Sequence, residues 1–154
     1  PIQHAAITAF NGGDDINEYL RQSRRVLKVV GEYTHRRLTE MNAVVQKPEG
    51  AFYLFPNFSS YREKLAAHDI KTSQALCTAL LEKTGVAILP ASDFGFVPDH
   101  LGARLAFVDF DGTLALKLAG GDYAELELGD DFVNQACPRL VTAMDKMERW
   151  FASL

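Results

Sequence analysis

The sequence predicts an α+β fold in which a short sheet is covered by helices. Three apolar runs of strand length, bounded by Pro or Gly, predict the sheet: residues 50–56, 85–90 and 104–108. Continuous apolar strands are typical of a sheet that is buried on at least one face. Apolar residues at three- to four-residue steps predict the covering helices, which begin at Ile16, at Thr72 and near Asp131. Only the third strand opens on an arginine, Arg104.

The composition is that of an ordinary globular protein. Of 154 residues, 47% are hydrophobic and 23% are charged, so the chain is long enough to form one domain, residues 1–154, with its own core. The formal net charge of −4 argues against nucleic acid as a partner. No apolar run reaches the roughly 18 residues that a membrane span needs, so we expect no membrane partner and a cytoplasmic location.

The first predicted element is a long amphipathic helix over residues 16–41. Asp15 can cap its first turn, and Glu18 stands three residues later as in a capping box. The apolar positions recur at helical steps: Ile16, Leu20, Leu27, Val30, Leu38 and Met41. We interpret the basic residues between them as a solvated face. Such a helix would reach roughly 39 Å, which is more than a small domain needs, so we expect it to lie along a second domain or subunit.

The remaining elements follow the first strand in order. Residues 57–69 are predicted to be irregular, and Thr72 or Ser73 can cap a helix that ends before Gly85. Alternating residues predict an edge strand at 123–128. The last helix is predicted over residues 131–151, with a kink at Pro138.

The cysteines and histidines form no recognisable ligand pattern. Cys77 and Cys137 stand alone in helix-like sequence, so we expect buried, reduced thiols and neither a disulfide nor a metal site. The histidines are scattered without ligand spacing, and none is assigned a role: His4, His35, His68 and His100.

Several short motifs occur in an order that resembles one known family. The segment Pro1-Ile2-Gln3-His4-Ala5-Ala6, the long helix, Gly50-Ala51-Phe52-Tyr53 with Phe55-Pro56, and the turn from Pro90 to Gly95 follow one another along the chain, and then comes Arg104-Leu105. This series is similar to the C-terminal small domain of fold-type I, class I/II pyridoxal-phosphate-dependent aminotransferases. The resemblance covers nearly the whole chain.

The resemblance implies a fold, a reaction and partners. It implies a small, mainly antiparallel sheet covered by helices, with residues 1–15 a remnant of the large domain, 16–41 an interdomain helix and 42–154 the small domain. It implies transfer of an amino group between an amino acid and a 2-oxo acid, in a site that lies between the small and large domains and is completed by a homodimer partner. The cofactor would be pyridoxal 5'-phosphate. In the family the lysine that anchors it, and most residues that hold it, lie upstream, so we expect no catalytic, cofactor-binding or metal residue here and no activity from this chain alone.

Arg104 falls where the family places the arginine that grips the substrate's α-carboxylate. A guanidinium fork can bind a planar carboxylate through two parallel, charge-assisted hydrogen bonds, whereas lysine supplies the charge without the fork. The alternative is that Arg104 only begins a strand and pairs with Asp109 or Asp111. With the flanking motifs present, we predict the carboxylate-binding role.

The sequence departs from the family pattern in two places. Ala91 stands where the turn usually has glycine, so a conformation that needs positive φ would be lost or shifted. The segment 109–130 is longer and more acidic than the family pattern before the final helix, and we interpret it as a surface hairpin.

Two other kinds of protein share features with this sequence. Asp109-Phe110-Asp111-Gly112-Thr113 is similar to the D-x-D-G-T loop of haloacid-dehalogenase-type phosphatases, but residues 114–129 are too few for the strands and helices which that fold needs next. Some transcription regulators carry an aminotransferase-like domain that binds a ligand without catalysis, and the sequence leaves this alternative open. It also leaves open a lyase or synthase on the same fold.

Overall fold

A three-stranded antiparallel sheet lies at the centre of the fold. The structure is a computed structural model that describes all 154 residues. The sheet consists of β1 (Tyr53–Leu54), β2 (Leu89–Pro90) and β3 (Ala103–Ala106). The helices are α1 (Ile2–Asn11), α2 (Asp14–Glu40), α3 (Arg62–Ala67), α4 (Ser73–Thr84), α5 (Gly112–Gly120), α6 (Asp130–Ala136) and α7 (Pro138–Ser153). Short 3₁₀ turns occupy Ser59–Tyr61 and Ala91–Phe94. The predicted α+β class is confirmed.

The strand order is β1-β3-β2, so β3 pairs with both neighbours. Tyr53 lies opposite Ala106 and Leu89 lies opposite Arg104. Because residues alternate between the faces of a strand and paired residues share a face, these four form one face of the sheet. The opposite face consists of Leu54, Pro90, Ala103 and Leu105, all of them buried. We call these the outer and inner faces.

The inner face packs into one hydrophobic core with the helices. The core comprises 29 buried residues, which include Leu54, Ala103 and Leu105 from the sheet. The predicted covering helices supply many of the others: Val26, Val30 and Leu38 of α2, Leu76 and Leu80 of α4, and Leu140, Met144, Met147 and Phe151 of α7. On the outer face, by contrast, Tyr53, Leu89 and Ala106 are exposed and Arg104 is half-buried.

The helix α2 matches the predicted long helix closely but begins differently. Its N-cap residue is Gly13 and no side chain caps it, so the predicted capping box of Asp15 and Glu18 is wrong. Glu18 instead accepts hydrogen bonds from Arg21 and Gln22 one turn further along. Burial in α2 begins at Gln22, and α1 has no buried residue.

The predicted solvated basic face of α2 is only partly present. Arg25 is half-buried and donates to backbone carbonyls of the segment that begins at α5. Arg37 is half-buried between α2 and α7, where its Nη2 atom lies 2.7 Å from a carboxylate oxygen of Asp145. Both arginines join elements that are distant in sequence.

Helix α4 is confirmed in its termini. The Thr72 hydroxyl accepts a hydrogen bond from the Ala75 amide at 3.2 Å, and the helix ends at Gly85 with φ of 76°. This left-handed conformation favours glycine because it has no Cβ. The preceding segment was predicted to be irregular and is partly helical, because it contains the turn Ser59–Tyr61 and the short helix α3.

The predicted kinked helix at the C-terminus is two helices. The helix α6 ends at Ala136, Cys137 has non-helical dihedral angles, and Pro138 starts α7. Proline lacks an amide hydrogen and so suits the first turn of a helix, where that hydrogen has no partner. The helix is therefore interrupted at Cys137, and it is not one helix with a kink.

The segment 109–130 is not a hairpin, and 123–128 is not a strand. The helix α5 occupies much of this segment, and Asp111 caps it by accepting from the Leu114 amide at 3.1 Å. Its apolar side, Ala115, Leu118 and Ala119, is buried. After α5 the chain forms turns that end at α6. Both predictions were wrong because this segment packs on α2 and pairs with no strand.

No helix combines the length and the apolar character needed to cross a membrane. Both cysteines are buried and free, as predicted.

Candidate functional site

Arg104 lies on the outer face of the central strand β3. It is half-buried, while its neighbours Ala103 and Leu105 point into the core. Leu89 lies beside it across the β2 pairing. Because side chains alternate along a strand, the buried neighbours anchor the backbone at Arg104, and the Arg104 side chain points away from the core.

Two aromatic rings approach the guanidinium of Arg104. Its Cζ atom lies 4.4 Å from the ring centroid of Tyr53 and 4.6 Å from that of Phe94. Tyr53 belongs to β1 and Phe94 ends the 3₁₀ turn that follows β2, so the rings come from elements on opposite sides of β3. Both distances lie within the range of a cation–π interaction.

The Arg104 side chain has no acidic partner and no hydrogen-bond acceptor within the chain, so the alternative pairing with Asp109 or Asp111 is not formed. Asp109 pairs with Arg139 at 2.9 Å, and Asp111 caps α5. No buried side-chain nitrogen in the structure lacks a partner, so the unpaired nitrogens of Arg104 are accessible to solvent. The guanidinium thus keeps its donors available for a ligand that accepts hydrogen bonds.

Apolar side chains surround this arginine. Leu89, which pairs with Arg104, and Tyr53 and Phe94, whose rings contact it, are each about two-fifths exposed. Large apolar side chains clustered around one charged group mark a binding surface more often than a plain solvated face. The arrangement suits a small anion with one carboxylate that is covered from water by apolar groups.

The turn that carries Phe94 tolerates the departure at Ala91. Ala91 is not among the residues with positive φ, and it begins a 3₁₀ turn whose end at Gly95 has φ of 84°. Its amide donates to the Gly102 carbonyl at 2.9 Å, and its side chain is fully buried. The left-handed position of this turn is therefore Gly95, and alanine at position 91 costs no backbone strain.

Sequence analysis named Arg104 as a candidate and did not predict the two rings that approach it. Tyr53 and Phe94 were part of quoted motifs, yet their approach to Arg104 depends on the strand order β1-β3-β2. An antiparallel register would have predicted the Tyr53 contact, because Tyr53 pairs with Ala106, two residues along the same face.

The first 112 residues of the chain match the family model described as aminotransferase class I and II. The matched region contains the whole sheet, the turn at Ala91 and Arg104. This chain belongs to the class I and II aminotransferases.

Individual aminotransferases support the same assignment. The chain is 37% identical over 107 residues to an aspartate aminotransferase of Geobacillus stearothermophilus, a match to 68% of this chain and 25% of that protein. It is 39% identical over 113 residues to a probable N-acetyl-LL-diaminopimelate aminotransferase of Bacillus subtilis, a match to 73% of this chain and 25% of that protein.

Solved structures of aminotransferases share the fold. An aromatic aminotransferase of Pyrococcus horikoshii superimposes with a TM-score of 0.66 at 24% identity, over 99% of this chain and 31% of that one. An aspartate aminotransferase of Thermotoga maritima gives a TM-score of 0.58 over 97% of this chain and 28% of that one. The chain thus covers between 25% and 31% of the length of these four relatives.

The lysines of this chain all lie at its surface. A lysine that forms a Schiff base is activated by desolvation or by a neighbouring cation. Every lysine here is exposed: Lys28, Lys47, Lys64, Lys71, Lys83, Lys117 and Lys146. No group of His, Cys, Asp or Glu residues is arranged to hold a metal ion either.

The cysteines are not nucleophiles. Burial raises the pKa of Cys77 to about 12, with a further contribution from Asp93, and burial alone raises that of Cys137 to about 12. Because the thiolate is the reactive form, both thiols are inert at neutral pH.

Proposed function

We propose that these residues are the C-terminal small domain of a pyridoxal-phosphate-dependent aminotransferase, which transfers an amino group from an amino acid to a 2-oxo acid. Arg104 binds the α-carboxylate of both substrates. Residues 1–15 continue a large domain, 16–41 connect the two domains, and 42–154 form the small domain. We keep the cytoplasm as the predicted location.

The free guanidinium of Arg104 carries this proposal. Its donors have no acceptor in the chain although its side chain is half-buried. Every α-amino acid and every 2-oxo acid presents a planar carboxylate, and Arg104 offers the matching fork. The position lies within the region that matches the aminotransferase family model.

The exposed apolar residues support a large domain and a homodimer partner. On α1, which has no buried residue, Ile2 is 85% exposed and Phe10 is 92% exposed. The outer face adds the apolar side chains around Arg104. Surfaces of this kind are costly in water and are usually covered by another domain or subunit.

The chain alone should be inactive, because its residues supply the carboxylate-binding side and no anchor for the cofactor. When bound by the complete enzyme, pyridoxal phosphate supplies the electron sink for the amino-group transfer.

A reductive trap on the full-length protein tests the proposal. The protein is incubated with pyridoxal phosphate, reduced with borohydride and mapped by mass spectrometry, with the 154-residue chain as the control. We expect one modified lysine outside these residues, no adduct on the chain alone, and a change in cofactor absorbance when an amino acid is added. Absence of an adduct would contradict the proposal and favour a ligand-binding regulator domain.

A further inference from the structure

We propose that Tyr53 and Phe94 are positioning residues that hold the guanidinium of Arg104 between their rings and so present its hydrogen-bonding edge to the substrate carboxylate. This inference rests on the proposed function of Arg104 and adds two residues to it. Neither ring is expected to touch the reacting atoms.

The first step of the argument is the lack of any other restraint on Arg104. An arginine side chain has several rotatable bonds, and binding must overcome the entropy of fixing them. Most half-buried arginines are fixed by acceptors, but Arg104 has none in the chain. Its only close contacts of defined geometry are the two rings, at 4.4 and 4.6 Å.

The second step is that the rings leave the donors of Arg104 free. Each ring lies within cation–π range of the Cζ atom, and neither accepts a conventional hydrogen bond from the guanidinium. The unpaired nitrogens of Arg104 are accessible to solvent, so their N–H groups are available for a bidentate carboxylate. Hydrogen-bond acceptors bound to the guanidinium would occupy those N–H donors, whereas aromatic rings can restrain the group without occupying any of them.

The third step is the support behind Phe94. Phe55 meets Phe94 edge to face at 5.8 Å, and Phe96 stacks on Phe55 at 5.1 Å. His100 stacks on Phe96 at 4.6 Å, and the Nε2 atom of His100 lies 3.3 Å from the side-chain Nδ2 atom of Asn57. We call the series Phe94, Phe55, Phe96 and His100 the aromatic stack. It runs from Arg104 to the segment before β3.

The stack depends on a glycine. A Cβ at Gly102 would lie 2.7 Å from the His100 ring, closer than real contacts allow. His100 can therefore close the stack only because position 102 has no side chain. Tyr53 has its own neighbour, because Phe52 packs against it at 4.4 Å. Both rings that meet Arg104 are thus supported from behind.

The experiment has a spectroscopic arm in the 154-residue chain. The rings should shift the Arg104 side-chain NεH proton upfield of that of Arg24, which is exposed and has no aromatic contact. Phe94→Leu and Tyr53→Leu should each remove part of this shift, and Phe94→Tyr should preserve it. Absence of an upfield shift in the unsubstituted chain would overturn the proposal.

The kinetic arm uses the full-length aminotransferase. We expect Phe94→Leu to lower kcat/KM for amino acids by about tenfold, mainly by raising KM. A less ordered arginine weakens binding of the substrate and of the transition state by the same amount, which leaves kcat nearly unchanged. Phe94→Tyr should restore the activity. Val97→Ala, in the same exposed segment but without an aromatic contact, is the matched control and should be unchanged.

Arg104→Lys separates the two proposals. If it impairs substrate use while Phe94→Leu and Tyr53→Leu leave KM unchanged, the positioning role is wrong and the proposed function stands. If Arg104→Lys has no effect, the proposed function itself is wrong. Loss of activity in Val97→Ala equal to that in Phe94→Leu would also overturn the positioning role, because it would show a general loosening of the turn.

Discussion

Arg25 and Arg104 are both half-buried, and the chain treats them in opposite ways. Arg25 extends from α2 to the end of α5 and the turns after it. Its two terminal nitrogens donate at 2.6–3.0 Å to one side-chain oxygen and three backbone carbonyls: Gln22 Oε1 and the carbonyls of Ala119, Tyr123 and Leu126. Arg104 is held by two aromatic rings and donates to nothing in the chain.

The difference separates an arginine that joins elements of the fold from one whose donors stay free, as the proposed role of Arg104 requires. Arg25 satisfies carbonyls at the C-terminal end of a helix, where cations are favoured and the last carbonyls lack helical partners. Four of the five N–H donors of Arg25 are used within the chain. Arg104 has two cation–π contacts and free donors, which suits the proposed recognition of a carboxylate.

The inner face of the sheet should contribute much more to stability than the outer face, and substitutions there give the largest expected effect. Leu105 on the inner face is 2% exposed, so Leu105→Ala should lower the free energy of unfolding by about 2–5 kcal/mol through lost burial and a cavity. Leu89 on the outer face is 44% exposed, and Leu89→Ala should cost less than about 0.5 kcal/mol. Urea unfolding measures both; equal costs would show that the outer face is part of the core.

The structural role of Arg25 predicts the next largest effect. Arg25→Ala should lower the free energy of unfolding by about 1.5–3 kcal/mol, because it leaves half-buried carbonyls without a charged donor. Amide hydrogen exchange should rise in α5 and residues 121–129. Arg24→Ala is the matched control, since the exposed Arg24 makes no hydrogen bond or ion pair. Equal exchange in both variants would contradict the anchoring role.

The buried thiols of the core give a smaller, pH-dependent effect. Burial raises the pKa of Cys77 and of Cys137 to about 12, whereas an unfolded thiol titrates near 9.0. The folded state keeps its protons longer, so this contribution is complete below pH 9 and is lost as the pH rises toward 12. Between pH 9 and 10 the free energy of unfolding should fall by roughly 1–2 kcal/mol. A Cys77→Ala, Cys137→Ala double variant should show a smaller fall; an unchanged slope would contradict the assignment.

The smallest expected effect lies at the far end of the aromatic stack. His100→Ala should raise KM of the full-length enzyme by about threefold, since it removes a support that is separated from Phe94 by the rings of Phe55 and Phe96. His100→Phe retains a stacking ring and should stay near the unsubstituted value. If both variants behave alike, the ring of His100 contributes nothing to Phe94.

Features that depend on interactions between residues near each other in the sequence could be predicted, and features that depend on long-range contacts could not. The strands at β1, β2 and β3, the helix from Thr72 and the position of Arg104 depend on local patterns and neighbouring motifs. The role of Arg25 could not be predicted, because its carbonyl acceptors lie 94 to 101 residues away.

Local signals also misled where tertiary packing decided the outcome. Alternation at 123–128 resembles a strand, but two carbonyls of that segment accept from Arg25, and Tyr123 packs edge to face on Phe132 at 5.3 Å. At Pro138 the sequence pattern is continuous and the backbone is not, because a proline fits the start of α7 better than the middle of one long helix.

The most direct test of the carboxylate role compares Arg104→Lys with Arg25→Lys in the full-length enzyme. We predict that Arg104→Lys lowers kcat/KM for amino acid substrates by about 30-fold or more and leaves the melting temperature unchanged. Arg25→Lys should lower the melting temperature and keep kcat/KM within about twofold. An unchanged kcat/KM in Arg104→Lys would contradict the assignment of Arg104 as the carboxylate-binding residue.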